Sequence, residues 1–178
     1  MVRPVVRRCH TADLTPTDRT ELRALLDLAF DGGFTDDDWR HGLGGQHVLV
    51  RVDGVLLATG ALIRRRLRHE GRELRAGYVE AVAVHPDHRR QGLGSLVMAA
   101  IEAQTSRHDL LALSATEDGI ELYEARGWEL WQGPSSVLAA MRVTRTPHDD
   151  GTIYVLSGDV ELDLDGELTC DWRDGSVW

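Results

Sequence analysis

The chain has 178 residues and a formal net charge of −9, and all of its basic side chains are arginine. The negative charge and the lack of an evident basic stripe argue against duplex nucleic acid as a partner. No apolar run approaches the roughly 18 residues that a membrane span requires. Cys9 and Cys170 have no paired spacing, and the start of the chain lacks a signal-peptide pattern, so we expect a cytoplasmic protein with reduced thiols. The length predicts a single domain over residues 1–178.

Hydrophobic periodicity, helix caps and turn residues predict the secondary structure. Thr15 before Pro16 and Thr35 before three aspartates indicate helix starts, and Asp53-Gly54 indicates a two-residue hairpin. Residues 134–147 are expected to be rich in loops. In chain order we predict a strand at 2–8, a helix at 15–30, a short helix after 35, strands at 46–52, 55–66 and 74–84, a helix from 92, a strand at 110–114, a short helix at 119–126, and strands at 128–131, 153–156 and 160–164.

This order of elements predicts an α/β (α+β) fold. The front half is antiparallel in pattern, and a β-loop-α-β unit follows it. We therefore expect a mixed, mostly antiparallel central sheet that is flanked by helices on both faces.

The segment from Val79 to Gly94 has the strongest chemical pattern in the chain. A strand rich in β-branched residues runs into a loop that contains Arg89 and Arg90 and then into an amphipathic helix. Glycines at 92 and 94 let a ligand approach the backbone, and the first N–H groups of the helix suit a pyrophosphate. An ordinary strand–turn–helix with solvated arginines is the alternative. A dinucleotide fingerprint does not fit, because Val97 stands where the third glycine would be, and the Gly-Lys-Ser/Thr of a P-loop is also lacking.

The same segment resembles the acetyl-CoA-binding motif of the GNAT acetyltransferase superfamily. Its signature of Arg or Gln, two residues, Gly, one residue, then Gly or Ala is met by Arg89, Gly92 and Gly94. Almost the whole chain, from about His10 onward, is further similar to the aminoglycoside 2′-N-acetyltransferases. The blocks that carry this resemblance are Gly32-Gly33-Phe34-Thr35 with Trp39, Leu43-Gly44-Gly45, Tyr78-Val79-Glu80, Leu122-Tyr123 with Arg126-Gly127-Trp128, Gly133-Pro134, Thr144-Arg145-Thr146-Pro147 with Asp149-Asp150-Gly151, and Cys170-Asp171-Trp172-Arg173 with Trp178.

The resemblance implies a GNAT N-acetyltransferase domain with acetyl-CoA as cosubstrate and no metal. It assigns the pantetheine arm to Val82, Ala83 and Val84. It assigns the pyrophosphate to the loop and first helical turn, which comprise Arg89, Arg90, Gln91, Gly92, Leu93 and Gly94. Tyr123 takes the role of general acid near the CoA sulfur; the alternative is a tyrosine that packs a helix on the sheet.

The resemblance also implies a substrate site for a polycationic amino sugar. Its residues are Asp38, Glu80, Ala81, Ser114, Asp149 and Trp178, the last through its main-chain carboxylate. A carboxylate such as Glu80 between apolar strand residues is costly to bury unless it is paired or faces a cavity, so we expect it to bind ammonium groups and to accept a proton, through water. Asp38 has a helix-cap alternative, and Asp149 has the alternative of a solvated turn.

Two positions depart from the pattern that we expect of this family. Gly33 and Ser176 stand where acids are expected, and the loss of either acid would remove one ammonium contact. These departures concern affinity and drug spectrum more than the reaction itself.

The leading hypothesis is therefore acetyl transfer to the 2′-amine of an aminoglycoside, by direct transfer in a ternary complex, which would confer resistance. The alternatives are another amino sugar or polyamine-like substrate, or a non-catalytic CoA-binding module. The superfamily implies a homodimer. Nine acids against one arginine from Pro147 to Trp178 give that segment a charge of 1 − 9 = −8. Such a segment is either a solvated face or a negative rim that steers a cationic drug.

Overall fold

The structure, a computed structural model, describes residues 3–178, so Val2 of the first predicted strand lies outside the described residues. The helices are α1 (Pro16–Ala29), α2 (Asp36–His41), α3 (Leu93–Glu102) and α4 (Ile120–Glu124). The strands are β1 (Val5–His10), β2 (Gln46–Val52), β3 (Val55–His69), β4 (Arg72–Val84), β5 (Leu110–Ser114), β6 (Glu129–Leu130), β7 (Ser135–Ala139), β8 (Arg142–Arg145), β9 (Ile153–Ser157) and β10 (Leu168–Asp171).

Residue contacts divide the chain into two compact units. The first unit runs as far as Ile63 and includes Val79–Ala103, and the second comprises Arg64–Tyr78 and Gln104–Trp178. The long strands β3 and β4 each contribute residues to both units. The single domain over residues 1–178 stays a prediction.

The first unit is organised by two helix caps and a hairpin. Thr15 and Asp18 form a capping box at the start of α1, and Thr35 and Asp38 form another at α2, so both predicted helix starts are confirmed. β2 pairs antiparallel with β1 and with β3. Asp53 and Gly54 have φ values of 52° and 82°, as the predicted two-residue hairpin requires.

α3 packs closely on β3 in the first unit because Gly60 has no side chain. A Cβ built at Gly60 would lie 2.7 Å from Val97 Cγ1 and 3.3 Å from Val82 Cγ2. Both distances are shorter than ordinary van der Waals contact between carbon atoms. The glycine therefore lets the helix that follows the glycine-rich loop lie directly on the strands.

The second unit contains the larger set of strands. Their order is β6-β9-β5-β4-β3-β10-β7-β8. β4 pairs parallel with β5 and β7 pairs parallel with β10, whereas β5–β9, β6–β9, β7–β8 and β3–β10 are antiparallel. Buried side chains from these strands, including Trp131 and Leu110, form its core. The mixed, mostly antiparallel fold is thereby confirmed.

Two expectations for the chain were wrong. Residues 134–147 are not mainly loop: they form the β7–β8 hairpin, whose turn residues Ala140 and Met141 have positive φ without being glycine. Residues 160–164 are not a strand, because Val160, Leu162 and Leu164 pack on the core without strand pairing, and the last strand is β10.

One further feature of β3 was not predicted. Arg64, Arg66 and Arg68 are exposed at alternate positions of this strand and form a short row of arginines.

Candidate active site

The loop between β4 and α3 belongs to the first unit and follows Pro86. Arg90 has a φ of 61° and Gly92 a φ of 82°, so the backbone turns sharply into α3. Arg89 Nη2 donates to the main-chain oxygen of Ala29, 3.0 Å away, which ties the loop to the end of α1. Gln91 Nε2 lies 3.5 Å from the main-chain oxygen of Asp87. Arg89 thus helps to shape the loop in addition to its predicted role towards a phosphate.

The N-terminus of α3 has the features that suit an anion. Gly92 is its N-cap, and no side chain among the described residues makes a cap hydrogen bond there. The N–H groups of the first turn therefore have no intrahelical acceptor, and the positive end of the helix dipole faces the same region. Leu93 is buried and Gly94 packs inside, so the turn is firmly anchored. These features fit the pyrophosphate of acetyl-CoA.

We predict that Gly92→Ala raises the KM for acetyl-CoA by about tenfold, because a left-handed φ costs a residue with a side chain about 1–2 kcal/mol and the loop shifts to relieve it. A Cβ at Gly92 has no atom within 4 Å, so the effect is conformational and not a clash. Steady-state kinetics with varied acetyl-CoA measure it.

Gly54 offers a matched control for this prediction. It has the same φ of 82° and the same open surroundings, but it lies in the β2–β3 hairpin. Gly54→Ala should leave the KM for acetyl-CoA unchanged. Equal effects of the two variants would contradict a role of the loop in binding the cosubstrate.

Glu80 is half-buried near the end of β4 and precedes a local distortion of that strand. Ala81 has a φ of 52°, which is rare for a residue with a side chain and unusual within a strand. Ala83 is buried with Leu26 and Phe34, against which Ala81 also packs. The distortion next to Glu80 was not predicted, and backbone distortions of this kind cluster at functional sites.

Asp38 and Ala81 line one small cavity in the first unit. The cavity is otherwise mainly apolar and includes Phe34, Trp39 and His47. Asp38 Oδ2 accepts from the main-chain N–H of Thr35 at 2.8 Å and from its hydroxyl at 2.7 Å. Asp38 therefore caps α2 through Oδ2. Its contact with an amino sugar stays a prediction, and that contact would chiefly use Oδ1.

Tyr123 belongs to the second unit and lies on α4. Its side chain is buried, and its ring lies beside those of Trp128 and Tyr154, at centroid distances of 6.1 and 6.5 Å. Burial raises the pKa of Tyr123 to about 12. The hydroxyl therefore stays protonated over the whole working pH range and is available as a hydrogen-bond donor.

Ser114 and Asp149 are linked through Thr152 in the second unit. Ser114 Oγ lies 3.1 Å from Thr152 Oγ1, which donates to the main-chain oxygen of Asp149 at 2.8 Å. Asp149 Oδ2 lies 3.1 Å from Nε2 of His148, and burial raises the pKa of Asp149. Neighbouring Asp150 instead accepts from Ser135 and pairs with Arg145, so the second acid of the turn is structural.

Trp178 joins the same group of residues through Thr146. Its indole Nε1 donates to Thr146 Oγ1 at 2.9 Å, and the main-chain oxygen of Thr146 accepts from the N–H of Asp149. The main-chain oxygen of Trp178 accepts from Arg173 Nη2 and Ser176 Oγ, at 3.1 and 2.9 Å. Three predicted sugar-site residues, Ser114, Asp149 and Trp178, are thus connected by two threonines.

The residues that make these connections were not predicted from the sequence. Thr146 and Thr152 are small polar residues in turns, and only their position in the fold gives them a role. Arg173 was noted for its charge but not as a partner of Trp178. Thr146 and Arg173 did lie in blocks that carry the family resemblance, which was the available signal.

A family model described as an acetyltransferase (GNAT) domain matches residues 10–131. The match includes β4, the glycine-rich loop, α3 and α4, which carry the predicted CoA site and Tyr123. The chain therefore belongs to the GNAT acetyltransferases, and it is an acetyl-CoA-dependent N-acetyltransferase.

A curated relative extends the likeness to the rest of the chain. The aminoglycoside 2′-N-acetyltransferase of Mycolicibacterium fortuitum is 47% identical over 177 residues, which are 97% of this chain and 91% of that enzyme. This similarity confirms the family resemblance found in the sequence.

Solved structures share the fold at low identity. A GNAT acetyltransferase from Brucella melitensis in complex with acetyl-CoA superposes with a TM-score of 0.63 at 14% identity, covering 94% of this chain and 96% of that one. Eis1 from Mycobacterium abscessus gives a TM-score of 0.60 at 17% identity over 75% of this chain, which spans only 33% of that longer protein.

No helix within residues 3–178 is long and apolar enough to cross a membrane. Histidine, cysteine and acidic side chains in the same range do not come together in groups of three or more that could hold a metal ion.

Proposed function

We propose that the chain transfers the acetyl group of acetyl-CoA to the 2′-amine of aminoglycosides, directly within a ternary complex. The observation that carries this proposal is the 47% identity to an aminoglycoside 2′-N-acetyltransferase, which continues beyond the CoA-binding half. A match over 97% of the chain includes the turn at Asp149, one of the predicted sugar contacts.

Acetyl-CoA supplies the acetyl group as a thioester. In our proposal the N–H groups at the start of α3, from Gly92 onward, hold its pyrophosphate with Arg89 and Arg90. The main chain of Val82, Ala83 and Val84 holds its pantetheine arm. Holding two reactants in line contributes about 7–11 kcal/mol to lowering the barrier, so these contacts are part of the catalysis.

Glu80 acts on the amine. An aminoglycoside amine is mostly protonated near neutral pH and must lose a proton before its nitrogen lone pair can attack the thioester carbon. Glu80 binds the ammonium group and accepts this proton, through water. The half-buried environment strengthens its attraction to a cation compared with a fully solvated carboxylate.

Tyr123 acts on the leaving sulfur. As the carbon–sulfur bond breaks, negative charge grows on the sulfur, and the Tyr123 hydroxyl stabilises it. A thiol has an ordinary pKa of about 8.5 and is thus a stronger acid than a tyrosine whose pKa is about 12. We therefore propose that Tyr123 serves chiefly as a hydrogen-bond donor. The nitrogen releases a proton as it becomes an amide, and the thiolate takes up a proton through solvent as CoA leaves.

The acidic residues between Pro147 and Trp178 should make the KM for an aminoglycoside depend on salt concentration. Asp159, Glu161 and Asp163 are exposed, and we propose that they add to the negative field that attracts the cationic drug. The KM for an aminoglycoside should therefore rise several-fold from about 0.01 to about 0.5 M salt, as screening shortens the range of the attraction. The KM for acetyl-CoA should not follow this trend. The triple change Asp159→Asn, Glu161→Gln and Asp163→Asn should flatten the dependence, and an unchanged slope would exclude steering by these residues.

A matched pair of drugs tests the substrate and the position of transfer. Kanamycin B carries an amine at the 2′-carbon, and kanamycin A carries a hydroxyl there. We expect the protein with acetyl-CoA to release free thiol with kanamycin B and none above background with kanamycin A. Thiol release from both drugs would indicate another amine, and release from neither would point to a different amino sugar, a polyamine or a binding module.

Acetylation would replace a positive amine by a neutral amide, which weakens a drug that binds through its charge. This is the physical basis for the proposed resistance role. We further propose a homodimer, which the superfamily resemblance implies. We also propose a cytoplasmic location, because the two cysteines have no paired spacing.

A further inference from the structure

Arg65 is a buried charged residue that the proposed mechanism does not use. It lies on β3 in the second unit, and its side chain is only 5% exposed. A buried guanidinium is costly unless its donors are satisfied. Its partners therefore indicate what the residue is for.

The hydrogen bonds that Arg65 donates to oxygen atoms go to one short segment, residues 171–178. Nε donates to Asp171 Oδ1 at 2.9 Å, Nη2 to the main-chain oxygen of Asp171 at 2.6 Å, and Nη1 to the main-chain oxygen of Val177 at 2.7 Å. The guanidinium thus bridges the start of the segment and the residue before Trp178. A planar fork of donors suits this bridge, which a single ammonium group could not span.

The ring of Tyr78 packs against the guanidinium group that makes this bridge. The guanidinium carbon of Arg65 lies 4.8 Å from the Tyr78 ring centroid, and that of Arg173 lies 5.5 Å from it. Arg173 in turn donates to the main-chain oxygens of Ser176 and Trp178. Two arginines against one buried ring therefore fix the path of the backbone up to Trp178.

We infer that Arg65 is a positioning residue that sets aminoglycoside affinity by fixing the segment 171–178, and this inference rests on the proposed function. The segment carries Trp178, whose indole is bonded to Thr146 in the turn of Asp149. Loss of the bridge leaves the Val177 carbonyl without a strong donor and lets Trp178 and this turn move. The proposed cosubstrate contacts involve none of these residues.

The kinetic test compares Arg65→Met and Arg65→Lys with Arg66→Met. Arg66 is exposed on the same strand and is not a donor in the bridge, so its replacement removes the same charge while the bridge stays intact. We expect Arg65→Met to raise the KM for kanamycin B by about tenfold or more, with the KM for acetyl-CoA unchanged. The KM of Arg65→Lys for kanamycin B should lie between those of the wild type and Arg65→Met. Asp171→Asn, which keeps both carbonyl contacts, should have a smaller effect and none in the Arg65→Met background. It also serves as the test if Arg65→Met does not fold.

A second readout is independent of activity. The Arg173–Asp174 bond is a trypsin site inside the segment, so release of residues 174–178 should be faster in Arg65→Met than in the wild type and in Arg66→Met. If the wild-type protein acetylates no aminoglycoside, the proposed function is wrong, while the proteolysis rates still decide whether Arg65 holds the segment. Parallel rises in both KM values, or an unchanged KM for kanamycin B with unchanged proteolysis, would overturn the inference.

Discussion

Tyr123→Phe is expected to lower kcat by about 10²- to 10³-fold, because one donor to a developing negative charge is typically worth that much. The KM for the aminoglycoside should change by no more than about twofold, since the hydroxyl acts only as the carbon–sulfur bond breaks. Phenylalanine retains the ring that packs near Trp128 and Tyr154. Pre-steady-state and steady-state kinetics with saturating acetyl-CoA measure the change in the chemical step.

Tyr154→Phe is the matched control for this substitution. Tyr154 is a second buried tyrosine of the same unit, and its hydroxyl donates to Glu124 Oε1 at 3.1 Å. Its removal should leave kcat within a fewfold of the wild-type value. If kcat for Tyr123→Phe is unchanged, Tyr123 has no part in the mechanism and only packs its helix on the sheet.

Glu80→Gln is expected both to lower kcat and to raise the KM for the aminoglycoside, because the carboxylate binds the ammonium group and accepts its proton. The loss of a general base typically costs about 10²- to 10⁴-fold. The KM for acetyl-CoA should be unaffected. Measurement at several pH values adds a further distinction: the activity of the variant should recover partly at high pH, where more of the amine is already deprotonated.

Glu73→Gln provides the control on the same strand. Glu73 is exposed on β4 and is not a predicted site residue, so its neutralisation tests for a general effect of charge. Both variants keep the shape of the side chain. Equal losses in the two would mean that Glu80 acts through the overall field and not at the reacting nitrogen.

Local sequence patterns predicted the parts of the fold that local chemistry controls. Both capping boxes, at Thr15 and Thr35, depend on residues three positions apart, and the hairpin at Asp53-Gly54 depends on two turn residues. The loop before α3 could also be predicted from local sequence, because a strand, an arginine, two glycines and a helix follow one another along the chain.

The rest of the fold depends on contacts between distant residues. The β7–β8 hairpin turns through Ala140 and Met141, which carry no turn signal, so it was assigned to loop. The alternating residues 159–165 have the burial pattern of a strand, but no neighbouring strand pairs with them, and β10 occupies the place beside β3 and β7 instead. Alternation of polar and apolar residues thus predicts which side chains are buried, but it does not show whether the backbone pairs with another strand.

The candidate site shows the same division. Glu80, Tyr123 and the loop residues could be named from family-like motifs, but the positive φ of Ala81 and the bonds that join Ser114, Asp149 and Trp178 through two threonines could not. The bridge made by Arg65 could not be predicted either, because its partners lie more than a hundred positions away along the chain.

The position of the acetyl group on the product tests the central proposal most directly. Kanamycin B, incubated with the protein and acetyl-CoA, should gain one acetyl group by mass, and NMR should locate it on the 2′-nitrogen. An acetyl group on any other nitrogen or oxygen of the drug, or a drug that remains unmodified while acetyl-CoA binds, would contradict the proposed function.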